Sequence, residues 1–287
     1  MMCRMYIIHG KKMSKQLSRC GEIERSIIKK FRKQIWTKFT SAVNEFDLIK
    51  KDDKIAVCIS GGKDSMLMAK CMQELMRHGH TPFSLEFIVM NPGYNQENYE
   101  KIHENAKILE IPVHFFDTPI FEIVDSIDDS PCYLCARMRR GYLYSKAKEL
   151  GCNKIALGHH FDDVVETVLL SMFYGSEFKT MLPKLHSTNF EGMELIRPLY
   201  FVREEDIIAW AKYNSLDFIR CACRFTAESE HNEENSKRLE IKEFLKKVRE
   251  KNTNVDYNIY KSTCCVNLKT VLGYKNENEK HWFLDNF

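Results

Sequence analysis

Short apolar, β-branched segments alternate with segments of helical periodicity along this chain, and this alternation constrains the fold more than any other feature. Residues 54–60 read KIAVCIS and predict a strand, which two glycines and a helical pattern over residues 64–76 follow. The same reading predicts strands at 85–90, 113–116 and 154–157, and helices at 99–109, 135–150, 162–172 and 204–213. Strands that alternate with helices form parallel βαβ units. The sequence therefore predicts an α/β protein with a doubly wound, mostly parallel sheet.

Basic helical segments flank this predicted core on both sides. Apolar residues recur at steps of three and four from Ile23 to Phe46, with Lys and Arg between them, and residues 236–251 form a second helical pattern rich in cations. Each helix is expected either to pack on the core behind a solvated face or also to contact a polyanion. We divide the chain into an extension or disordered segment at 1–20, a basic N-terminal helix at 21–52, a core at 53–225 and a C-terminal helical extension at 226–287.

Composition favours an intracellular globular protein. The 287 residues carry a net charge of +3, too small a bias to predict nucleic-acid binding by itself, although residues 1–50 hold twelve basic and four acidic residues. Eleven cysteines are odd in number and few for this length, which argues against a secreted disulfide scaffold. The apolar run at residues 5–8 is shorter than a signal-peptide core, and no stretch is as long as a membrane span. We expect a cytoplasmic protein that does not contact a membrane.

The segment SGGKDS lies between the first predicted strand and its helix. Glycines let the backbone approach a phosphate closely, and a helix N-terminus favours an anion. Lys63 adds a positive charge, and Asp64 is suited to bind Mg²⁺. The segment matches neither the P-loop pattern nor GxGxxG, so a purely structural turn is the alternative. We expect phosphate binding by Ser60, Gly61, Gly62, Lys63, Asp64 and Ser65.

The segment GHHFDD at residues 158–163 joins a later strand to its helix. Its side chains are therefore expected at the carboxyl edge of the sheet, where open α/β folds bind ligands. Gly158 and His159 are candidate nucleotide-binding residues, and Asp163 is a second candidate Mg²⁺ ligand. A zinc site with two histidines and two aspartates, and ordinary helix capping by Asp162 and Asp163, are the alternatives.

A third segment, PCYLC, places Cys132 and Cys135 two residues apart, just before a predicted helix. Both thiolates can face one metal from this spacing. The pair suits half a zinc site, a redox dithiol or two ligands of an iron–sulfur cluster, and unrelated thiols are the alternative. Cys221 and Cys223 form a second group, but the paired CxxC motifs typical of four-cysteine zinc sites are lacking.

Six segments occur in one order across 140 residues: SGGKDS, PCYLC, RMRRGYLY at 137–144, GHHFDD, MFYG at 172–175 and IRPL at 196–199. Through them, the chain resembles the PP-loop ATP pyrophosphatases and, among these, the TtcA family of tRNA 2-thiocytidine synthetases. The resemblance extends from about residue 22 to residue 225. It implies a Rossmann-like fold of the adenine nucleotide α-hydrolase type.

The resemblance also implies a reaction. ATP would adenylate the C2 oxygen of a cytidine at position 32 in the tRNA anticodon loop, with release of pyrophosphate, and a sulfur nucleophile would displace AMP. Lys63, and Mg²⁺ on Asp64, would neutralise charge on the leaving pyrophosphate. Cys132, Cys135 and a third cysteine would hold a [4Fe–4S] cluster with one iron open to carry sulfide. The third ligand would be Cys223, with Cys221 as the alternative, because the chain has CxC where many relatives have CxxC.

On this resemblance, the catalytic residues are Lys63, Asp64, Cys132 and Cys135. The expected partners are tRNA, a cysteine desulfurase or another sulfur donor, and a second copy in a homodimer. The residues expected to contact tRNA are Arg137, Arg139 and Arg140. Three other functions stay open: a TtuA-like thiolase acting on another tRNA base, a cluster-dependent desulfidase acting on a small nucleobase, and a non-enzymatic zinc or redox module.

Overall fold

A computed structural model describes residues 17–125, 131–219, 233–276 and 279–286. Its main sheet contains strands β1 (Lys54–Ile59), β2 (Ser84–Asn91), β3 (Val113–Asp117), β4 (Lys154–Ala156), β5 (Lys184–His186) and β6 (Glu194–Ile196). Their order is β3-β2-β1-β4-β6-β5, and all neighbours are parallel except β5, which runs antiparallel to β6. The predicted mostly parallel sheet is therefore confirmed.

Ten α-helices lie in the described part of the chain. They are α1 (Arg19–Ile28), α2 (Thr37–Glu45), α3 (Lys63–His78), α4 (Gln96–Ile108), α5 (Ile120–Asp125), α6 (Pro131–Glu149), α7 (Phe161–Gly175), α8 (Glu204–Tyr213), α9 (Glu233–Lys251) and α10 (Val255–Cys264). A separate hairpin follows, made of β7 (Gly273–Asn276) and β8 (Glu279–Trp282). Every helix and strand predicted for the core is present, with bounds that differ by four residues or fewer. None of the described helices is both long and apolar enough to cross a membrane.

Alternate side chains of β1 enter two different cores. Ile55, Val57 and Ile59 pack on one face, in the cluster that also contains residues of α3, α8 and the N-terminal helices. Ala56 and Cys58 pack on the other face, in the cluster that contains residues of α6. Successive residues of a strand point to opposite faces, and a parallel sheet is normally covered on both. Helices on both faces leave the strand ends as the open edge of the sheet.

The N-terminal segment expected as one basic helix over residues 21–52 is helical in pieces. A turn and a π-helical segment, Arg32–Trp36, separate α1 from α2. Apolar residues four apart drift by about 40° per step around a helix of 3.6 residues per turn, so a straight α-helix would not keep them on one face. The wider turns compensate, because Ile23, Ile27, Phe31, Ile35, Phe39 and Val43 are all buried. Of the expected extension at 1–20, residues 1–16 lie outside the described part, and Arg19 and Cys20 already belong to α1.

The C-terminal helices complete the fold beside α7. Ile241 and Leu245 of α9 and Tyr260 of α10 are buried in one cluster with Val164 and Val165 of α7. The expected C-terminal helical extension thus packs directly against the helix that follows β4. This packing brings α9 close to the open edge of the sheet.

Candidate active site

The two segments GHHFDD and SGGKDS meet at the centre of the sheet. Strands β1 and β4 are neighbours, with β2 and β3 on the far side of β1, and β6 and β5 on the far side of β4. Residues 60–65 follow β1, and residues 158–163 follow β4. Open α/β sheets bind ligands outside the carboxyl ends of strands at such a switch in direction. The expected position of both segments at this edge is confirmed.

A cavity of about 580 Å³ lies at this edge. Its walls come from the ends of β1, β2 and β4, from α6 and α7, and from the segment after β6. The candidate residues that line it are Ser60, Asp64, Ser65, Arg139, Arg140, Gly158, His159 and Asp163. The expected residues that are described but do not line it are Gly61, Gly62, Lys63, Cys135 and Arg137. The cavity therefore brings together most, but not all, of the expected site.

The glycine loop has a backbone shaped for an anion. Gly61 has φ +85°, and a Cβ atom there would lie 2.5 Å from the Ile102 side chain. Gly62 precedes α3 with no side chain capping the helix, so amide donors of the first turn lack a side-chain acceptor. The Ser60 and Ser65 hydroxyls lie 3.2 Å apart and join the two ends of the loop. Phosphate binding here stays a prediction that this geometry supports.

Gly158 has a packing role as well as a place in the cavity wall. A Cβ atom at this position would lie 3.1 Å from the Ser65 backbone nitrogen and 3.2 Å from the carbonyl carbon of Asp64. The segment after β4 therefore approaches the start of α3 backbone to backbone. Absence of a side chain at Gly158 is what permits this approach.

Lys63 is held by two carboxylates beside the cavity. Its Nζ lies 3.0 Å from Glu204 Oε1 and 3.2 Å from Asp64 Oδ1. Burial lowers the pKa of Lys63, but the two carboxylates raise it by more. The net pKa lies above its ordinary value, so the ammonium is charged. Burial raises the pKa of Glu204, but Lys63 and Lys242 outweigh this and lower that pKa to about 2. Sequence reasoning missed Glu204, because an acidic residue in the first turn of a helix is common.

Two carboxylates that line the cavity, Asp64 and Asp163, are separated by His160. The His160 ring lies 3.9 Å from Asp64 Oδ1 through Nε2 and 3.5 Å from Asp163 Oδ2 through Nδ1. Burial raises the pKa of Asp64, with partial opposition from Lys63. For Asp163, burial also raises the pKa, but His160 and Arg238 lower it more, so it falls below its ordinary value.

These carboxylates fit the requirements of Mg²⁺, which binds through one or two carboxylates together with substrate phosphates. The described residues contain no group of three or more His, Cys, Asp or Glu side chains that could hold a metal ion by themselves. The alternative zinc site within GHHFDD therefore has no support from the described residues. Binding of Mg²⁺ by Asp64 and Asp163 stays a prediction.

The two aspartates of GHHFDD have different structural roles, and only Asp163 caps α7. Asp163 Oδ2 accepts a hydrogen bond from the His160 backbone N–H at 3.0 Å, as in a capping box. Asp162 is buried and accepts from the Glu204 backbone N–H at 2.8 Å, and it pairs with Arg203 and Arg249. Asp162 is thus structural, whereas Asp163 caps the helix and also lines the cavity.

His159 lines the cavity as a neutral group. Burial, and then the charge of Arg197, lower the pKa of His159 to about 4. Its imidazole is therefore uncharged at neutral pH, and its Nδ1 is buried without a hydrogen-bond partner. A neutral ring can donate or accept a hydrogen bond at the cavity wall.

Helix α6 carries the cysteine motif near its start and contributes Arg139, Arg140 and Leu143 to the cavity wall. The sequence had suggested that Cys132 and Cys135 lie just before the helix. The helix begins at Pro131, so both cysteines lie within its first turns. Cys135 packs against the apolar cluster of Met90, Ile120 and Phe121. Arg139 lies four residues later, hence on the same helix face, and lines the cavity. The side chain of Cys132, and all of Cys221 and Cys223, lie outside the described residues.

This chain resembles a known family model and known proteins over most of its length. A family model described as a PP-loop domain matches residues 31–232. A tRNA-cytidine(32) 2-sulfurtransferase from Syntrophotalea carbinolica is 38% identical over 201 residues, which cover 69% of this chain and 77% of that protein. The chain belongs to the PP-loop family, in its tRNA-cytidine(32) 2-sulfurtransferase branch. The family expected from the sequence motifs is therefore confirmed.

A second sulfurtransferase and one solved structure also resemble this chain. A tRNA-cytidine(32) 2-sulfurtransferase from Neisseria meningitidis is 40% identical over 185 residues, which cover 63% of this chain and 57% of that protein. The chain spans about three fifths of the length of the curated relatives of this kind that it matches. The U34-tRNA thiolase NcsA from Methanococcus maripaludis, described with its [4Fe-4S] cluster, has a TM-score of 0.63 at 21% identity and covers 79% of this chain and 76% of its own. This likeness shows a shared fold.

Proposed function

We propose that this protein converts cytidine to 2-thiocytidine at position 32 of the tRNA anticodon loop, with consumption of ATP. The observation that carries the proposal is the meeting of the glycine loop, two carboxylates and the cysteine-bearing helix α6 at one cavity. Relatives named for this reaction share about 40% of the aligned residues. A cytoplasmic site of action agrees with a tRNA substrate.

The phosphate side of the cavity serves the first step. The C2 oxygen of the cytidine attacks the α-phosphorus of ATP, the bond to the β-phosphate breaks, and pyrophosphate leaves. Amides of residues 61–65 receive the phosphates at the start of α3. Asp64 and Asp163 would hold Mg²⁺, which would neutralise phosphate charge. Lys63 exchanges one of its carboxylate partners for a phosphate oxygen and neutralises charge on the leaving group.

The α6 side of the cavity serves the second step. A sulfur nucleophile adds to C2, and AMP leaves with the former carbonyl oxygen. When bound, a [4Fe–4S] cluster held by Cys132, Cys135 and Cys223, or by Cys221 in place of Cys223, supplies this sulfur. The setting of Cys135 fits such a group, because its neighbours Met90, Ile120 and Phe121 are apolar and its helix face continues to the cavity.

The arginines of α6 receive the tRNA. Arg139 and Arg140 line the cavity, and Arg137 is exposed near them on the same helix. Proteins that act on a base first take it out of the stack, and they hold the strand by its phosphates. A cysteine desulfurase or another donor would renew the sulfur, and a homodimer stays a prediction.

The test is mass spectrometry of tRNA nucleosides from cells that lack the gene. Loss of 2-thiocytidine, restored by the wild-type gene, is the expected result. Loss of a different thionucleoside would move the substrate to another tRNA base. An unchanged nucleoside profile would contradict the tRNA function and favour a small-molecule or redox role.

Variants then separate the two steps. Cys132→Ala should not restore 2-thiocytidine but should leave ATP binding intact, whereas Lys63→Ala should lose ATP binding. Cys264→Ala is the matched control, because Cys264 is exposed at the end of α10 and lies outside the cavity. Zinc without acid-labile sulfide in protein purified under argon would contradict the cluster.

A further inference from the structure

A buried guanidinium that has no counter-ion among the described residues lines the cavity. Arg197, which follows β6, is 7% exposed and belongs to none of the ion pairs among the described residues. Its Nη1 donates to the Leu182 carbonyl oxygen, and its backbone N–H donates to the Pro183 carbonyl oxygen at 2.9 Å. Its Nε is buried with no hydrogen-bond partner. The side chain is thus anchored at one nitrogen and keeps further donors unused.

The surroundings of Arg197 favour an anionic ligand. Burial lowers the pKa of Arg197 to about 10, which still leaves it charged at neutral pH. Arg140 adds a second positive charge nearby. Asp163 is the carboxylate that raises the pKa of Arg197, and Arg238 and His160 already engage Asp163. A buried charge is unfavourable unless a partner compensates it. None of the described carboxylates pairs with Arg197, so an anion in the cavity that it lines is a suitable partner.

We propose that Arg197 is a second phosphate-binding residue of this cavity, separate from the glycine loop. The proposal rests on the proposed function, which brings two kinds of phosphate here: the α-phosphate of ATP and the phosphodiester of the tRNA nucleotide. The planar guanidinium matches paired phosphate oxygens, and Arg139 and Arg140 extend the same positive wall.

The test measures ATP binding and tRNA binding separately, on the full chain with its cluster loaded and oxygen excluded. Arg197→Gln should weaken one of the two by about tenfold or more, the size of one lost charge-assisted hydrogen bond. Arg197→Lys should weaken the same ligand less. Weaker ATP binding identifies the α-phosphate as the partner. Weaker tRNA binding, with the slope of log K against log salt reduced by about 0.7–0.9, identifies the phosphodiester.

Two controls keep the result interpretable. Lys148→Gln changes an exposed cation of α6 that does not line the cavity, so both affinities should stay as in wild type. If the Arg197 variants do not fold, dicarbonyl labelling of wild-type Arg197 replaces them, and ATP or tRNA should protect this side chain.

Two outcomes would overturn the proposal. One is unchanged affinity for both ligands in folded Arg197 variants, and the other is labelling that neither ligand slows. Either outcome with normal 2-thiocytidine formation leaves the proposed function standing. Absence of 2-thiocytidine formation by the wild-type chain contradicts the proposed function instead, and the ATP measurement still tests Arg197.

Discussion

The N-terminal helices and helix α9 are both rich in cations, yet their cations have different surroundings. Arg25, Lys29, Lys33 and Lys38 are exposed on the N-terminal segment and belong to none of the ion pairs among the described residues. Three cations of α9 pair with carboxylates of α7, α8 and α10: Arg238, Lys242 and Arg249. A count of basic residues along a helix therefore does not reveal whether its cations pair with carboxylates of the protein or are exposed to a polyanion.

Burial of the partner carboxylates explains the difference. Glu166 of α7 has a side chain that is 3% exposed, and it lies 2.8 Å from Arg238 and 3.7 Å from Lys242. Burial raises the pKa of Glu166, and Arg238 partly reverses this effect. Both cations that pair with Glu166 among the described residues lie on α9, and Asp163 and Glu204 each have one partner there. We therefore expect loss of α9 cations to affect stability and loss of N-terminal cations to affect RNA binding.

The largest effect is expected from Arg238→Ala. This change leaves Glu166 and Asp163 without their closest cation, and the free energy of unfolding should fall by about 2 kcal/mol. The loss is smaller than for a fully buried pair because the Arg238 side chain is 43% exposed. Urea unfolding measures it.

A second change and a control sharpen this result. Glu166→Gln added to Arg238→Ala should recover part of the lost stability, because a neutral amide needs no counter-ion. Lys246→Ala removes an exposed cation of the same helix and should change the stability by no more than about 0.5 kcal/mol. Equal losses for Arg238→Ala and Lys246→Ala would remove the distinction drawn within α9.

A smaller effect is expected from acid. The pKa of Glu204 lies at about 2, below its ordinary 4.5, because of Lys63 and Lys242. A lowered pKa means that the ionised group stabilises the fold above pH 4.5 and that this contribution disappears as the pH falls toward 2. Solvent screening limits the contribution of ionised Glu204 to the free energy of unfolding to about 1 kcal/mol.

Unfolding of wild type and Glu204→Gln over this pH range measures the contribution. The stability of wild type should fall more steeply with acid than that of Glu204→Gln, and the two curves should converge near pH 2. Parallel curves would show that the ion pair between Lys63 and Glu204 adds nothing to folding.

The smallest effect on stability is expected at the N-terminal segment. The double change Lys29→Gln and Lys33→Gln should alter the free energy of unfolding by about 0.5 kcal/mol or less. If these cations contact tRNA phosphates, each lost contact should reduce the salt slope of tRNA binding by about 0.7–0.9. An unchanged slope would show that Lys29 and Lys33 contact only solvent, like the exposed Lys246 and Lys247 of α9.

Much of the core was predictable because its strands are apolar runs bounded by glycines. KIAVCIS and the pattern over residues 85–90 gave β1 and β2 within one residue at each end. By contrast, β5 and β6 are three residues each and too short to show a period, so they were missed. The break between α1 and α2 was missed because a four-residue spacing resembles helical periodicity until its drift is followed.

The site was predictable where one segment contains both the turn after a strand and the polar side chains that line the cavity. SGGKDS and GHHFDD each follow a strand, so the rule for carboxyl edges placed Asp64, His159 and Asp163 together. Glu204 and Arg238 could not be found in this way, because each reaches the site from a distant part of the chain. Arg197 also follows a strand, but that strand, β6, was too short to predict. Only tertiary packing decides which carboxylate Arg238 meets. The roles of Cys132, Cys221 and Cys223 stay predictions.

The close approach at Gly158 links the two halves of the site mechanically. The segment after β4 rests on the backbone of Ser65 and Asp64, so a displacement at the start of α3 must also move His159 and His160. The nucleotide loop and the histidine segment are therefore expected to behave as one rigid body during turnover. On the proposed function, we expect the opening that admits a tRNA base at the opposite wall, where α6 carries Arg139 and Arg140.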